Sequence, residues 1–120
     1  YTNSGNVNLK VKAENIMIEV RQASSLGLIA NELITNSIKY AFPDDRKGEI
    51  VLDLKSNEEN EVELIVSDNG IGIPEGLDLE KTDSLGLKLV KNITENQLNG
   101  SIEMESKNGT KFTIKFNIEP

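Results

Sequence analysis

The chain has no cysteine, no histidine and no tryptophan, and aromatic residues make up only 4% of it. Without cysteine there is neither a disulfide framework nor a thiolate metal site, which suits a reducing compartment. Without histidine, His–carboxylate metal sites, serine and cysteine triads, and imidazole general-base chemistry are all excluded. Basic charge is also scarce. Acidic residues outnumber basic ones 20 to 13 for a net charge of −7, the reverse of the balance expected for a nucleic-acid binder, so none is expected as a partner. No apolar run approaches the ~20 residues needed to cross a bilayer. No signal peptide opens the chain. The expectation is a domain without direct membrane contact, in the cytoplasm, whether its parent is cytoplasmic or membrane-anchored.

What is present is a modest set of branched aliphatics. Apolar residues form 37% of the 120 and are mainly Ile, Leu and Val. That length suits one domain, 1–120, able to bury a core without a disulfide or structural metal. There is no internal repeat, low-complexity segment or linker. A chain opening on Tyr1 is expected to be a piece of something longer, or a processed product.

Val7, Leu9 and Val11 alternate with polar residues, as do Ile16, Ile18 and Val20, which predicts two short strands about a turn at Glu14-Asn15. Ser24 and Ser25 offer an N-cap for a helix over about Ser25 to Ala41, whose inward face carries Leu26, Ile29, Ala30, Leu33, Ser37, Ile38 and Ala41. Phe42-Pro43 ends it. Alternation over Glu49 to Lys55 and Glu61 to Asp68 predicts a hairpin turning at Asn57 to Asn60. After a glycine-rich loop and an acidic stretch, a second helix is predicted over Leu85 to Gln97 with Leu89, Val90 and Ile93 inward. A last hairpin, Ser101 to Ser106 and Thr110 to Ile118, turns at Asn108-Gly109. The predicted order is β-β-α-β-β-loop-α-β-β. It argues for an α+β two-layer sandwich, a mostly antiparallel sheet with helices on one face.

Three places depart from local structural rules, as functional sites tend to. In the first helix Glu32, Asn36 and Lys39 stand at i, i+4 and i+7, with Tyr40 at the edge of the column. A carboxylate, an amide and an ammonium in line can act as base, hard-cation ligand and phosphate contact; the plainer alternative is a solvated face with a Glu–Lys pair. Asp68-Asn69-Gly70-Ile71-Gly72-Ile73-Pro74 follows an apolar strand. Its glycines let backbone approach a flat ligand and its aspartate can accept from a ligand's amine; the alternative is an ordinary turn. The spacing fits a dinucleotide fingerprint poorly, and a Gly-Lys-Ser/Thr phosphate loop is absent. Finally, Ser84-Leu85-Gly86-Leu87 puts a glycine in the first turn of a helix. Gly86 there bares backbone N–H groups at the positive end of the helix dipole, a natural phosphate site, or else simply allows tight packing. Thr110, after Asn108-Gly109, reads by itself as the first residue of a strand.

In this combination the chain resembles the catalytic and ATP-binding domain of histidine kinases, in the ATPase superfamily shared with gyrase, a heat-shock chaperone and a mismatch-repair protein. Asn31 to Tyr40 resembles the N box, Asp68 to Gly72 the first glycine box, Ser84 to Leu87 the second, and Asn108-Gly109-Thr110 the final Gly-Thr element. The boxes stand in the family's order from about Val7 to Ile118. The resemblance implies the Bergerat ATP-binding fold, a mixed and mostly antiparallel sheet, with ATP and Mg2+ as cofactors. It implies that Asn36 holds Mg2+, that Glu32 polarises the nucleophile or acts as a base, and that Lys39 contacts phosphate. Tyr40 and Ile73 would line the nucleotide pocket. Asp68 would accept from the adenine amine, with Gly70 and Gly72 admitting the base. Ser84, Leu85, Gly86 and Leu87 would cradle the phosphates, and Thr110 would support the adenine end through Asp68 and water.

The chain departs from the wider family in its short segment Pro74 to Asp83, which lacks a phenylalanine, and in its single Ser-Leu-Gly-Leu. It looks like the subgroup with Asn-Glu-Leu N boxes and abbreviated lids. The implied partners are a histidine-bearing dimerisation domain and a response regulator, with this piece itself monomeric. A serine kinase acting on a small partner protein, as in anti-sigma factors, keeps the same fold with a different acceptor. A non-catalytic nucleotide-binding module is a further alternative.

Overall fold

The computed structural model describes residues 7–42, 47–71 and 85–118. Strand β1 (Val7–Ala13) leads through an extended segment into helix α1 (Val20–Asn36), which widens into a π-helical turn, Ser37–Ala41. Strands β2 (Gly48–Ser56) and β3 (Glu61–Asp68) follow. Helix α2 (Leu85–Asn92) has its own π-helical extension, Ile93–Gln97, and strands β4 (Ser101–Ser106) and β5 (Thr110–Asn117) complete the fold. The sheet order is β1-β2-β3-β5-β4. β1 runs parallel to β2 and every other pairing is antiparallel, as a mixed α+β sandwich requires.

The period-two pattern sets the core. Val62, Leu64 and Val66 of β3 stand opposite Phe116, Ile114 and Phe112 of β5, and all six are buried. Leu26, Ile29 and Leu33 of α1 and Leu87 and Val90 of α2 close over that face. Burying one such aliphatic side chain contributes about 1.5–3 kcal/mol. The helices run antiparallel to each other: Gly86 at the start of α2 lies against Glu32 and Asn36, while Ser25 Oγ donates to Gln97 Oε1 at 3.1 Å.

Both hairpins form where the turn chemistry places them. Asn57 Oδ1 accepts from the N–H groups of Glu59 and Glu61 at 2.9 and 3.0 Å, and Asn60 adopts φ 63°. Asn108 and Gly109 take φ 56° and 111°.

Three expectations need correction. Ile16 and Ile18 form no strand, so the order is β-α-β-β-α-β-β; both are half-buried against the core and lie in an extended segment without ladder partners. Alternation reports which side chains turn inward, not whether a neighbouring strand exists. Helix α1 starts five residues early, at Val20, with Glu19 at the cap position and no side-chain cap bond. Ser25 is not a cap but a buried contact to Gln97, one turn after buried Gln22, whose Nε2 donates to the Asn117 carbonyl at 2.9 Å. Leu89, expected inward, is 41% exposed. It lies about 200° around the helix from Leu87, which points inward in its place.

Candidate functional site

The C-terminal half of α1 passes between the end of β3 and the start of α2, so its consecutive residues face two neighbourhoods. Asp68, last residue of β3, occupies the first. Its Oδ1 accepts from Gly70 N–H at 3.0 Å and from Thr110 N–H at 3.3 Å, and its Oδ2 accepts from Ser37 Oγ at 2.9 Å. Three separate elements thus fix one carboxylate. Close backbone contacts complete this end. A Cβ on Gly70 would stand 2.3 Å from the Ala41 carbonyl oxygen, which itself accepts from Ile71 N–H at 2.9 Å. A Cβ on Gly109 would fall 2.0 Å from the Asp68 carbonyl oxygen, at a φ only glycine adopts readily. Asn69 ties the loop to β2 by accepting at Oδ1 from Glu49 N–H at 2.8 Å.

Glu32, Asn36 and Gly86 form the second neighbourhood. A Cβ on Gly86 would lie 3.0 Å from Glu32 Oε2, 3.5 Å from Asn36 Nδ2 and 3.8 Å from Asn36 Oδ1. Glu32 and Asn36 of α1 therefore lie close against the first turn of α2, at the one position where that turn carries no side chain. Glu32 and Asn36 are half-buried, Lys39 is exposed, Leu85 is 83% exposed and Leu87 is buried. Oxygen acceptors beside the N–H-rich start of a helix can serve an anionic ligand with its accompanying hard cation.

The structure brings Glu32, Asn36 and Gly86 together, and separately Asp68, Gly70 and Thr110. Lys39 joins neither group by a described contact. Gly72, Ile73, Ser84 and the side chain of Tyr40 lie outside the described residues. Ser37 is the addition. Its place on the apolar stripe of α1 reads as core, and the only signal of another role is a hydroxyl among aliphatics.

The sequence model for histidine kinase-, DNA gyrase B- and HSP90-like ATPases matches residues 21–120. The chain belongs to this family. It is an ATP-binding domain of that family, and its helices and mixed sheet match the fold of histidine kinase ATPase domains. Sensor histidine kinase PdtaS of Mycobacterium tuberculosis is 30% identical over 102 residues, covering 82% of this chain and 20% of that protein. Blue-light-activated histidine kinase 2 of Erythrobacter litoralis is 29% identical over 91 residues, covering 76% and 26%. The chain thus spans a fifth to a quarter of these relatives. Among solved structures, the histidine kinase domain of the Erythrobacter litoralis EL346 blue-light activated kinase superposes with a TM-score of 0.87 at 26% identity. That match covers 95% of this chain and 52% of the other.

Proposed function

We propose that this domain is the ATP- and Mg2+-binding catalytic part of a sensor histidine kinase and passes the γ-phosphoryl group of ATP to a histidine outside these 120 residues. The observation that carries the reading is the placement of Asn36 and Ser37. Adjacent residues on one helix, they face Gly86 and the Asp68 carboxylate respectively. A nucleotide with its base at Asp68 and its phosphates at Gly86 would use both. The relatives named above are histidine kinases, which favours histidine over serine as acceptor.

Asp68 would accept from the adenine amine while Gly70 admits the ring. Gly86 and the start of α2 would receive the phosphates, with Lys39 swinging in from solvent. The Asn36 amide oxygen and the Glu32 carboxylate beside Gly86 suit Mg2+, a hard cation that takes oxygen ligands and completes its shell with phosphates and water. Asn36 Oδ1 would be the protein oxygen that holds it. Mg2+, when bound, supplies neutralisation of the phosphate charge. In the transfer, a bond forms between an imidazole nitrogen and the γ-phosphorus as the bond to the β–γ bridging oxygen breaks, and ADP leaves. Glu32 would take or polarise the proton on the imidazole's other nitrogen. The remaining work is positioning.

The chain has no histidine of its own, so the acceptor belongs to a dimerisation domain elsewhere. A response regulator is the onward acceptor, and this domain acts as a monomer in the cytoplasm. No helix among the described residues is long and apolar enough to cross a membrane. The test is to incubate the chain with Mg2+ and γ-labelled ATP, then supply a separate histidine-bearing helical domain. Acid-labile label on the added domain is expected; acid-stable label on a hydroxyl, or none, would contradict the histidine acceptor.

A further inference from the structure

Of the donors that hold Asp68, two are the backbone N–H groups of Gly70 and Thr110. The third, Ser37 Oγ, is a side chain, and among the described residues it alone reaches Asp68 from a helix. Ser37 is only 8% exposed and follows a stripe of Leu26, Ile29 and Leu33. A hydroxyl buried there is costly unless paired, and its partner is the carboxylate 2.9 Å away.

An ionised carboxylate has about four lone-pair positions and no proton to give. At Asp68 two are taken on Oδ1 and one on Oδ2, so a single acceptor position remains, on the oxygen that Ser37 holds. We propose that Ser37 is a positioning and specificity residue: its hydroxyl fixes Asp68 so that one lone pair faces the ligand, which selects adenine over guanine. This rests on the nucleotide-site reading above. Adenine brings an amine donor to that lone pair. Guanine in the same pose brings a carbonyl oxygen, so two acceptors meet with no proton between them, and turning its N1–H and N2 amine toward Asp68 would present two donors to one free lone pair.

The hydroxyl matters because the two backbone bonds hold only Oδ1, and the one from Thr110 is 3.3 Å long. Without Ser37, Oδ2 has two open positions and the carboxylate can pivot about Oδ1. Water can then enter beside it, and a water can donate to the carboxylate and to a base carbonyl alike, so the rejection of guanine softens. The π-helical turn that begins at Ser37 belongs to the same arrangement. It carries the chain on to Ala41, whose carbonyl receives Ile71 N–H beneath the loop.

The test is calorimetric titration with ADP and with GDP on the unmodified 120-residue chain and on Ser37→Ala, Ser37→Thr and Ser37→Val. Thr and Val have nearly the same shape and differ in the hydroxyl, so that pair separates the hydrogen bond from packing. The unmodified chain and Ser37→Thr are expected to prefer ADP. Ser37→Ala and Ser37→Val should lose about tenfold of that preference, chiefly through weaker ADP binding. If the unmodified chain binds ADP and the preference stays within about twofold in Ala and Val alike, the role of Ser37 is overturned while the site stands. If the unmodified chain binds neither nucleotide, the site reading falls and this proposal with it.

Discussion

At Asp68, donors from the α1 turn, the loop after β3 and the start of β5 converge on one carboxylate, whereas at Gly86 the defining feature is a side chain that is not there. The first end is held by hydrogen bonds within the chain, so its acceptor geometry is set, and in the proposed function it would read the chemical identity of a base. The second sets the half-buried Glu32 and Asn36 close against a helix start that carries no side chain, and in the proposed function a charged group would meet them there. Preorganised polar contacts select, and a helix start receives charge. Substitutions at the two ends should therefore leave different signatures, one in base preference and the other in dependence on phosphate number.

The largest effect should come from the backbone beneath the hydrogen-bonded end. Gly109→Ala puts a Cβ 2.0 Å from the Asp68 carbonyl oxygen at a φ of 111°, so the hairpin must shift. Urea unfolding should report a loss on the order of 2–3 kcal/mol. Full stability in that variant would mean the turn is looser than described and the carboxylate less fixed. Next comes Asp68→Ala, which removes the acceptor and leaves its buried donors unpaired. ADP affinity should fall about a hundredfold, with inorganic triphosphate affinity little changed. Equal losses for both ligands would erase the distinction between the ends.

A smaller and opposite pattern is expected of Gly86→Ala. Its methyl would stand 3.0 Å from Glu32 Oε2, a contact a flexible carboxylate can relieve. ATP affinity should drop about tenfold while adenosine affinity holds. Loss of adenosine binding would show that Gly86 serves the base rather than the phosphates. The smallest effect lies outside both ends. Thr94 is fully buried, and among the described residues its hydroxyl is the one buried side-chain group without a hydrogen-bond partner. Thr94→Val should raise stability by about 1 kcal/mol and leave nucleotide affinity unchanged. A change in affinity would tie the helix pair's far side to the site.

Legibility in the sequence followed the same division. Asp68, Gly70 and Gly86 stood out because each breaks a local rule at an element boundary, and Glu32 and Asn36 because helical spacing aligns them; Thr110 reads alone as an ordinary first strand residue and was marked only by the family resemblance. The hairpins were readable from Asn57 and Asn108-Gly109, whose turn chemistry is local. What could not be read depends on distant partners. Ser25 looks like a capping residue until Gln97 arrives from far along the chain, and the partner of Gln22, Asn117, is as distant in sequence. Ile16 and Ile18 carry a strand's alternation without a strand beside them. The π-helical turn at Ser37–Ala41 has no sequence mark, and so Ser37's turn toward Asp68 was invisible, although its neighbour Asn36 was not.

In the proposed function one ligand spans both ends, its base on Asp68 and its Mg2+-bearing phosphates between Asn36 and Gly86. Calorimetric titration with a non-hydrolysable ATP analogue, with and without Mg2+, on the unmodified chain and on Asn36→Ala tests it most directly. Saturable binding that Mg2+ strengthens at least about tenfold is expected in the unmodified chain, a gain that Asn36→Ala removes. Binding that is absent, or that responds to Mg2+ equally in both chains, would contradict it.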